Sequence, residues 1–105
     1  MIAIRLAPEA LSELVEAAAW YDAMQAGLGT EFLEEVESIL PLIERLPSSF
    51  ARLQGLSSDL TIRRALLPRF PYALVFMELR DHVRIIAVAH AKREPGYWLT
   101  RVEES

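Results

Sequence analysis

The sequence predicts an α+β domain of two layers, in which a helical hairpin packs on one face of a small, largely antiparallel sheet. Two observations carry this prediction. The first half holds two successive stretches with apolar residues at helical spacing. The second half holds three short apolar stretches separated by turn residues. With one short alternating segment in front, the element order is β-α-α-β-β-β, and residues 1–105 form a single domain.

The first strand and the first helix follow each other closely. Residues 2–6 place apolar side chains at every second position, which predicts a strand. Pro8 stands where a first helical residue is expected. The helix should end near Gln25 and Ala26, because Gly27 follows them. Its predicted apolar stripe comprises Leu11, Leu14, Val15, Ala18 and Tyr21.

A second helix is predicted from Thr30 to Leu46, since Pro47 prevents its continuation. The short turn between the two helices predicts an antiparallel hairpin. The predicted apolar face of the second helix comprises Phe32, Val36, Ile39, Leu40 and Ile43.

Residues 47–59 are rich in Ser, Pro and Gly and predict a loop. Turns are predicted at residues 68–71, which contain two prolines, and at residues 80–82. The three strands of the resulting antiparallel meander are Thr61–Leu67, Tyr72–Leu79 and Val83–His90. Alternation along the last strand predicts one face made of Val83, Ile85, Ala87 and Ala89. Because the helices cover one side of the sheet, we expect the other face, or an edge strand, to stay open to a partner.

Charge is distributed unevenly along the chain, whose formal net charge is −4. Residues 1–58 hold nine acidic and three basic side chains, a net of −6, whereas residues 59–105 hold six and eight, a net of +2. This asymmetry suggests that the second half meets an anionic partner. The alternative is that the two halves neutralise each other within the fold, and the charges alone leave both open.

Several kinds of chemistry are excluded by composition. The chain has no cysteine, which excludes disulfides, thiol catalysis and thiolate metal sites. Its two histidines, His82 and His90, fall at opposite ends of one predicted strand, about 26 Å apart, so no metal site is predicted. No cofactor is expected either. The apolar runs are too short to span a membrane and no secretion signal is visible, so we expect a cytoplasmic protein.

The residues that stand out for chemistry are mostly basic and lie in or after the predicted strands: Arg63, Arg64, Arg84, His90, Arg93 and Tyr97. Arginine holds phosphate groups bidentately, and histidine or tyrosine can transfer a proton, which together would suit a metal-free ribonuclease. Alternatively, the arginines pair with acidic residues or a protein partner, while Tyr97 and Trp98 cap the core. The residue types alone favour this second interpretation.

Five segments carry a resemblance to known proteins: Ala17–Asp22, Gly27–Leu33, Ile62–Leu67, Arg69–Tyr72 and Val88–Trp98. In this order they resemble the RelE/ParE superfamily, the toxins of bacterial type II toxin–antitoxin systems, often labelled plasmid stabilisation proteins. The resemblance implies a small growth-inhibiting toxin that a co-encoded antitoxin neutralises. In that family the C-terminal segment of the antitoxin wraps the toxin as a helix and an added strand.

Two activities are known in the superfamily. RelE-like members cleave mRNA on the ribosome, whereas ParE-like members poison DNA gyrase without being nucleases. The chain departs from the basic RelE-like nucleases, since its pI is about 5.1 and Lys92 is its only lysine. It resembles the ParE branch more closely, so we expect a non-enzymatic inhibitor that binds DNA gyrase. The alternatives are a ribosome-dependent mRNA interferase and an inactive remnant that only binds its antitoxin.

The residues expected to contact the antitoxin or the target are Arg63, Arg64, Arg69, Arg84, Arg93, Tyr97 and Trp98. Under the nuclease alternative, the catalytic group would comprise Arg64, Arg84, His90, Arg93 and Tyr97.

Overall fold

The computed structural model describes residues 3–53 and 61–103 of the chain. These residues form five strands, three α-helices and one turn of 3-10 helix. In chain order the elements are β1 (Ala3–Leu6), α1 (Pro8–Met24), α2 (Leu28–Arg45), the 3-10 turn (Pro47–Ser49), β2 (Ala51–Arg52), β3 (Ile62–Leu66), β4 (Tyr72–Glu78), β5 (His82–His90) and α3 (Leu99–Glu103). The α+β class and the order of the predicted elements are confirmed.

The strands form one mixed sheet in the order β1-β5-β4-β3-β2. Strands β2 to β5 pair antiparallel, as the meander predicts, whereas β1 pairs parallel with β5. The prediction of an uninterrupted loop over residues 47–59 is wrong at its start, because Ala51–Arg52 adds a strand beside β3. Two residues are too few to show an alternating pattern. Residues 54–59 of that segment lie outside the described residues.

The helices α1 and α2 cover one face of the sheet. The predicted apolar face of α2 is confirmed, with Leu40 only partly buried and the other members buried. The predicted stripe of α1 is confirmed in part: Tyr21 is buried, and Leu14 and Ala18 pack against the core. It is wrong for Leu11 and Val15, which are 51% and 59% exposed. Ala10 and Ala17, which the stripe did not include, are buried as well. Alanines face the core because α1 packs closely on both α2 and β5.

An aromatic cluster joins the helical layer to the turn before β4. The ring of Tyr21 on α1 lies 5.4 Å from that of Phe32 on α2 and 4.9 Å from that of Phe70. The rings of Phe32 and Tyr72 are 5.2 Å apart. The Tyr21–Phe70 and Phe32–Tyr72 pairs are edge-to-face, and pairs of this kind add about 0.5–1.5 kcal/mol each beyond the area that they bury. The Phe70-Pro71-Tyr72 segment is therefore fixed against both helices.

Strand β5 contains a β-bulge that reverses the alternation of its side chains. Ile86 is the extra residue, so Ile86 and Ala87 both face away from the helices. The predicted face is correct for Val83 and Ile85, which pack against the helical layer. It is wrong for Ala87 and Ala89, which lie on the opposite side. After the bulge, the residues of β5 that face the helices no longer fall on the same alternate positions as before it.

The face of the sheet opposite the helices is partly covered by the chain itself. Trp98 is only 5% exposed, and it packs there together with Val102 of α3. The sheet residues buried beneath them are Ile62, Val75, Met77, Ile86 and Ala87. The expectation that this face stays open is therefore wrong for its middle, because the C-terminal segment packs on these apolar side chains and buries them.

The two helices come close together at Gly29. Its backbone N–H donates to Asp22 Oδ1 at 2.7 Å. A Cβ atom at this position would lie 2.3 Å from the carbonyl oxygen of Ala18 and 2.8 Å from Cγ of Asp22. The backbone of α2 therefore has to be bare at this point.

We expect Gly29→Ala to lower the free energy of unfolding by about 2 kcal/mol, because the added methyl group forces the helices apart. Urea denaturation followed by circular dichroism measures the change. Thr30→Ala, at the next and exposed position, is the matched control and should change stability by less than about 0.5 kcal/mol. Equal effects of the two substitutions would contradict the close approach.

Candidate functional site

A cleft of about 340 Å³ lies on the helix-free face, between the ends of β3, β4 and β5 and the segment that leads to α3. Most of its lining is apolar and includes Leu66, Ala73 and Ala89. Five of the predicted site residues line it: Arg64, His90, Arg93, Tyr97 and Trp98. One acidic residue, Glu94, also belongs to the lining within the described chain. The cleft thus combines an apolar surface with basic side chains.

The alternation of β3 decides which of its two arginines reaches the cleft. Arg64 is paired with Val75, on the helix-free face, and it lines the cleft. Arg63 is paired with Phe76 on the opposite face. Of these two successive arginines, Arg64 therefore shares a surface with His90, Arg93 and Tyr97, and Arg63 does not.

Two predicted arginines are engaged elsewhere in the fold. Arg63 Nε donates to Glu78 Oε1 at 2.8 Å, and its Nη1 donates to a backbone carbonyl. Arg69 Nη2 donates to Glu31 Oε1 at 2.7 Å, and the Arg69 backbone N–H donates to Glu35 at 2.8 Å. At Arg69 the basic and acidic halves of the chain thus neutralise each other. Neither Arg63 nor Arg69 lines the cleft.

Arg84 lies apart from the cleft. It occupies the first half of β5, where it is paired with Arg5 of β1 on one side and Met77 of β4 on the other. The sequence groups Arg84 with His90 because both lie on one strand, but the length of the strand separates them.

Glu13 of α1 holds the C-terminal segment in place. Its Oε2 accepts a hydrogen bond from the Tyr97 hydroxyl at 2.6 Å. Its Oε1 accepts from the backbone N–H of Val88 at 3.0 Å and from Arg101 Nη1 at 2.9 Å. Arg101 Nη1 also donates to the carbonyl oxygen of Ile86 at 3.0 Å. One carboxylate therefore connects α1, β5, the cleft wall and α3.

These contacts satisfy backbone groups that no strand reaches. The register of β1 ends at Leu6, opposite Ile85, whereas β5 continues to His90. Beyond Ile85, the edge of β5 would expose unpaired N–H and C=O groups. Glu13 and Arg101 supply an acceptor and a donor there, as a neighbouring strand would.

The same contacts shift the ionisation of Glu13 and Tyr97. Burial raises the pKa of Glu13, but hydrogen bonds from Arg101, Tyr97 and Val88 outweigh it, so the pKa lies below its ordinary value. Burial, the hydrogen bond to Glu13 and its negative charge raise the pKa of Tyr97 well above its ordinary value. The guanidinium carbon of Arg93 lies 3.8 Å from the centre of the Tyr97 ring. Tyr97 is thus a fixed, neutral wall of the cleft.

His90 has a defined orientation at the border of the cleft. The backbone N–H of Lys92 donates to its Nδ1 at 3.0 Å, so the neutral ring carries its proton on Nε2. Its ring also packs edge-on against Tyr72, with 5.0 Å between the ring centres. His90 can therefore offer a hydrogen-bond donor to a bound group.

Sequence reasoning missed Glu13 and Arg101 as contributors to this site. Glu13 belongs to a helix with other acidic residues, and its sequence context resembles that of a solvated glutamate. A signal was present in the spacing of Ala10 and Ala17, which places Glu13 beside the buried face of α1. That signal becomes clear only when the buried residues of α1 are known from the structure.

Comparisons with known proteins agree with the architecture. No family model matches the chain, and no curated protein is significantly similar to it. The chain is similar to a chain of a solved structure described as the chromosomal ParDE TA system from P. aeruginosa. The TM-score is 0.65 at 16% sequence identity, over 88% of this chain and 98% of that chain. The protein has a ParE/RelE-like fold.

The ParE/RelE-like fold accounts for the helical hairpin and the meander behind it, within a sheet that is mixed. In the part of the chain that the structure describes, no helix is long and apolar enough to cross a bilayer. No three His, Asp or Glu side chains come together there as metal ligands.

We expect Glu13→Gln to lower the free energy of unfolding by about 2 kcal/mol at pH 7, because it removes the negative charge that accepts hydrogen bonds from Arg101, Tyr97 and Val88. The depressed pKa of Glu13 implies a contribution that is present above about pH 4.3 and is lost as the pH falls through the folded-state value. The difference between variant and parent in urea denaturation should therefore shrink from pH 7 to pH 3. Glu16→Gln, an exposed position of the same helix, is the control.

The raised pKa of Tyr97 predicts an effect at the alkaline end. A folded-state pKa above the unfolded value of about 10 stabilises the fold below that pH, and the stability is lost as the pH rises further. The parent chain should therefore lose more stability between pH 9 and 11 than Tyr97→Phe does. Parallel slopes of unfolding free energy against pH would contradict the hydrogen bond to Glu13.

Proposed function

We propose that this protein is the toxin of a type II toxin–antitoxin pair and that it inhibits DNA gyrase by binding to it. The observation that carries the proposal is the basic, largely apolar cleft on a ParE/RelE-like fold. A solved ParDE system shares that fold over most of both chains. The activity is expected in the cytoplasm and would inhibit growth unless an antitoxin is present, which is how such a pair stabilises a plasmid.

The cleft suits an acidic antitoxin segment. Among the described residues, neither Arg64 nor Arg93 forms an ion pair. An apolar side chain of the antitoxin would enter the cleft near Trp98, while flanking carboxylates would reach the two guanidinium groups. Both kinds of contact are needed, because charge directs association and apolar burial supplies most of the affinity.

The contacts of Tyr97 favour inhibition by binding over RNA cleavage. A metal-free ribonuclease needs a proton donor and acceptor beside the phosphate that it attacks. The Tyr97 hydroxyl is bound to Glu13 at 2.6 Å, and its raised pKa makes it a weak acid. Arg84 does not line the cleft. Of the five catalytic residues expected under the nuclease alternative, His90 alone offers a proton-transfer group.

The proposal is tested with purified chain in two parallel assays. We expect loss of DNA supercoiling by purified gyrase, and no cleavage of mRNA in programmed ribosomes. Replacing Arg64 and Arg93 together by alanine should weaken gyrase inhibition at least about tenfold, because an arginine at the centre of an interface contributes about 1 kcal/mol or more. Arg45→Ala, at the exposed end of α2, is the control and should inhibit as the parent does.

Expression in bacteria without an antitoxin distinguishes the remaining alternatives. Growth arrest with mRNA cleavage would identify an interferase and overturn the gyrase target. Normal growth, with a chain that is folded by circular dichroism, would identify an inactive remnant. Growth arrest with loss of supercoiling supports the proposal.

A further inference from the structure

Two arginines lie side by side on the helix-free face, at the end of β5 away from the cleft. Arg5 of β1 and Arg84 of β5 are register partners in the parallel pair. Ile4 and Leu6 pack towards the helices, so Arg5 points to the other face. Arg84 shares that face, because it is paired with Met77 of the second apolar cluster.

Neither arginine is held by an ion pair within the described chain, although the charge of Arg5 helps to lower the pKa of the nearby Asp81. Across residues 3–53 and 61–103, no hydrogen bond or ion pair is formed by either guanidinium group, and Arg84 Nε is buried without a partner. The neighbouring acidic residues have closer partners elsewhere. Asp81 Oδ1 is bound to His82 Nδ1 at 2.8 Å, and Glu78 is bound to Arg63.

This arrangement is unfavourable for the isolated protein. Like charges directly opposite each other on neighbouring strands are destabilising. A buried N–H without an acceptor loses the hydrogen bonds that it made to water. A purely structural side chain between Arg5 and Met77 would be apolar, as most others of this cluster are. Two adjacent guanidinium groups without a hydrogen-bonding partner among the described residues, one with a buried N–H, are typical of a site that binds an anionic group.

We propose that Arg5 and Arg84 form a second binding site, separate from the cleft, for a carboxylate of an acidic segment of a partner protein. A carboxylate between the two guanidinium groups neutralises both charges and accepts hydrogen bonds from each. Movement of Arg84 towards it also brings the buried Nε–H out to an acceptor. The proposal does not depend on the target or the toxicity of the protein.

Charge favours a protein segment over a nucleic acid at this site. The chain has a net charge of −4, and Asp81, with its side chain 81% exposed, lies two residues after Leu79 at the same end of the sheet. A polyanion would meet repulsion beyond the two arginines, because nucleic-acid binding needs many phosphates to be neutralised. One or two carboxylates, with an apolar neighbour for the partly buried Leu79, match both the number of charges and the surface.

The first test compares the stability of the free chains. Arg84→Met removes one of the two like charges and the unsatisfied donor, so we expect its Tm to rise by about 4 °C. Arg52→Met, on the exposed strand β2, changes the net charge equally and should leave Tm within about 1 °C. A fall in Tm for Arg84→Met would show that Arg84 is structural and would overturn the proposal.

The second test measures binding by NMR of the arginine Nε–H groups in the full chain. The probe is the blocked peptide Ac-Ala-Glu-Ala-Glu-NH2, and its glutamine analogue is the control. We expect the Arg5 and Arg84 signals to shift with the glutamate peptide alone. Arg84→Met, followed at the Arg5 signal, should weaken binding at least about fivefold, whereas Arg52→Met should not change it.

Two outcomes of this titration would overturn the proposal. Equal shifts with the glutamate and glutamine peptides would show that no carboxylate is recognised. Tighter binding of the oligonucleotide dT6 than of the glutamate peptide would assign the site to nucleic acid. Arg5→Met, at an exposed position, provides a second variant that should lose the same binding. Its retention of full affinity would equally contradict a shared site.

Discussion

The Glu13 carboxylate is the contact on which the helix-free face depends. It accepts hydrogen bonds from a backbone N–H of β5, from the cleft residue Tyr97 and from Arg101 of α3. It is the point at which the helical layer reaches past the sheet edge to the segment on the far side. Without it, Tyr97 and Arg101 would lose the acceptor that holds them, and the wall of the cleft would no longer be fixed. A single side chain of α1 therefore positions a surface that belongs to the second half of the chain.

Much of the fold was predictable because strong patterns were present. In α2, large apolar residues such as Phe32 and Ile43 stand opposite glutamates, so periodicity identifies the buried face. In α1, small residues such as Ala17 face the core, whereas the larger Leu11 is exposed. The size of an apolar side chain therefore does not indicate whether it is buried. The bulge at Ile86 leaves no trace in the sequence, since β5 is apolar on both faces there.

The candidate site was predictable only in part, because its contacts join distant positions. Alternation along β3 separates Arg63 from Arg64, and that local rule holds. The partner of Arg69 lies 38 residues away on α2, and the partner of Tyr97 lies 84 residues away on α1. No periodicity reports such pairs. The tertiary structure therefore decides which basic side chains form contacts within the fold and which stay available to a partner.

The parallel pairing of β1 with β5 has a consequence for biosynthesis. The partners of residues 3–6 are residues 82–85, so the sheet cannot close until the last strand has left the ribosome. Until then, the apolar faces of α1 and α2 are largely uncovered, and chaperones can bind to them. The surface built on this sheet consequently forms only after most of the chain has been synthesised. A partner that recognises this surface can bind it only after strand β5 has been synthesised.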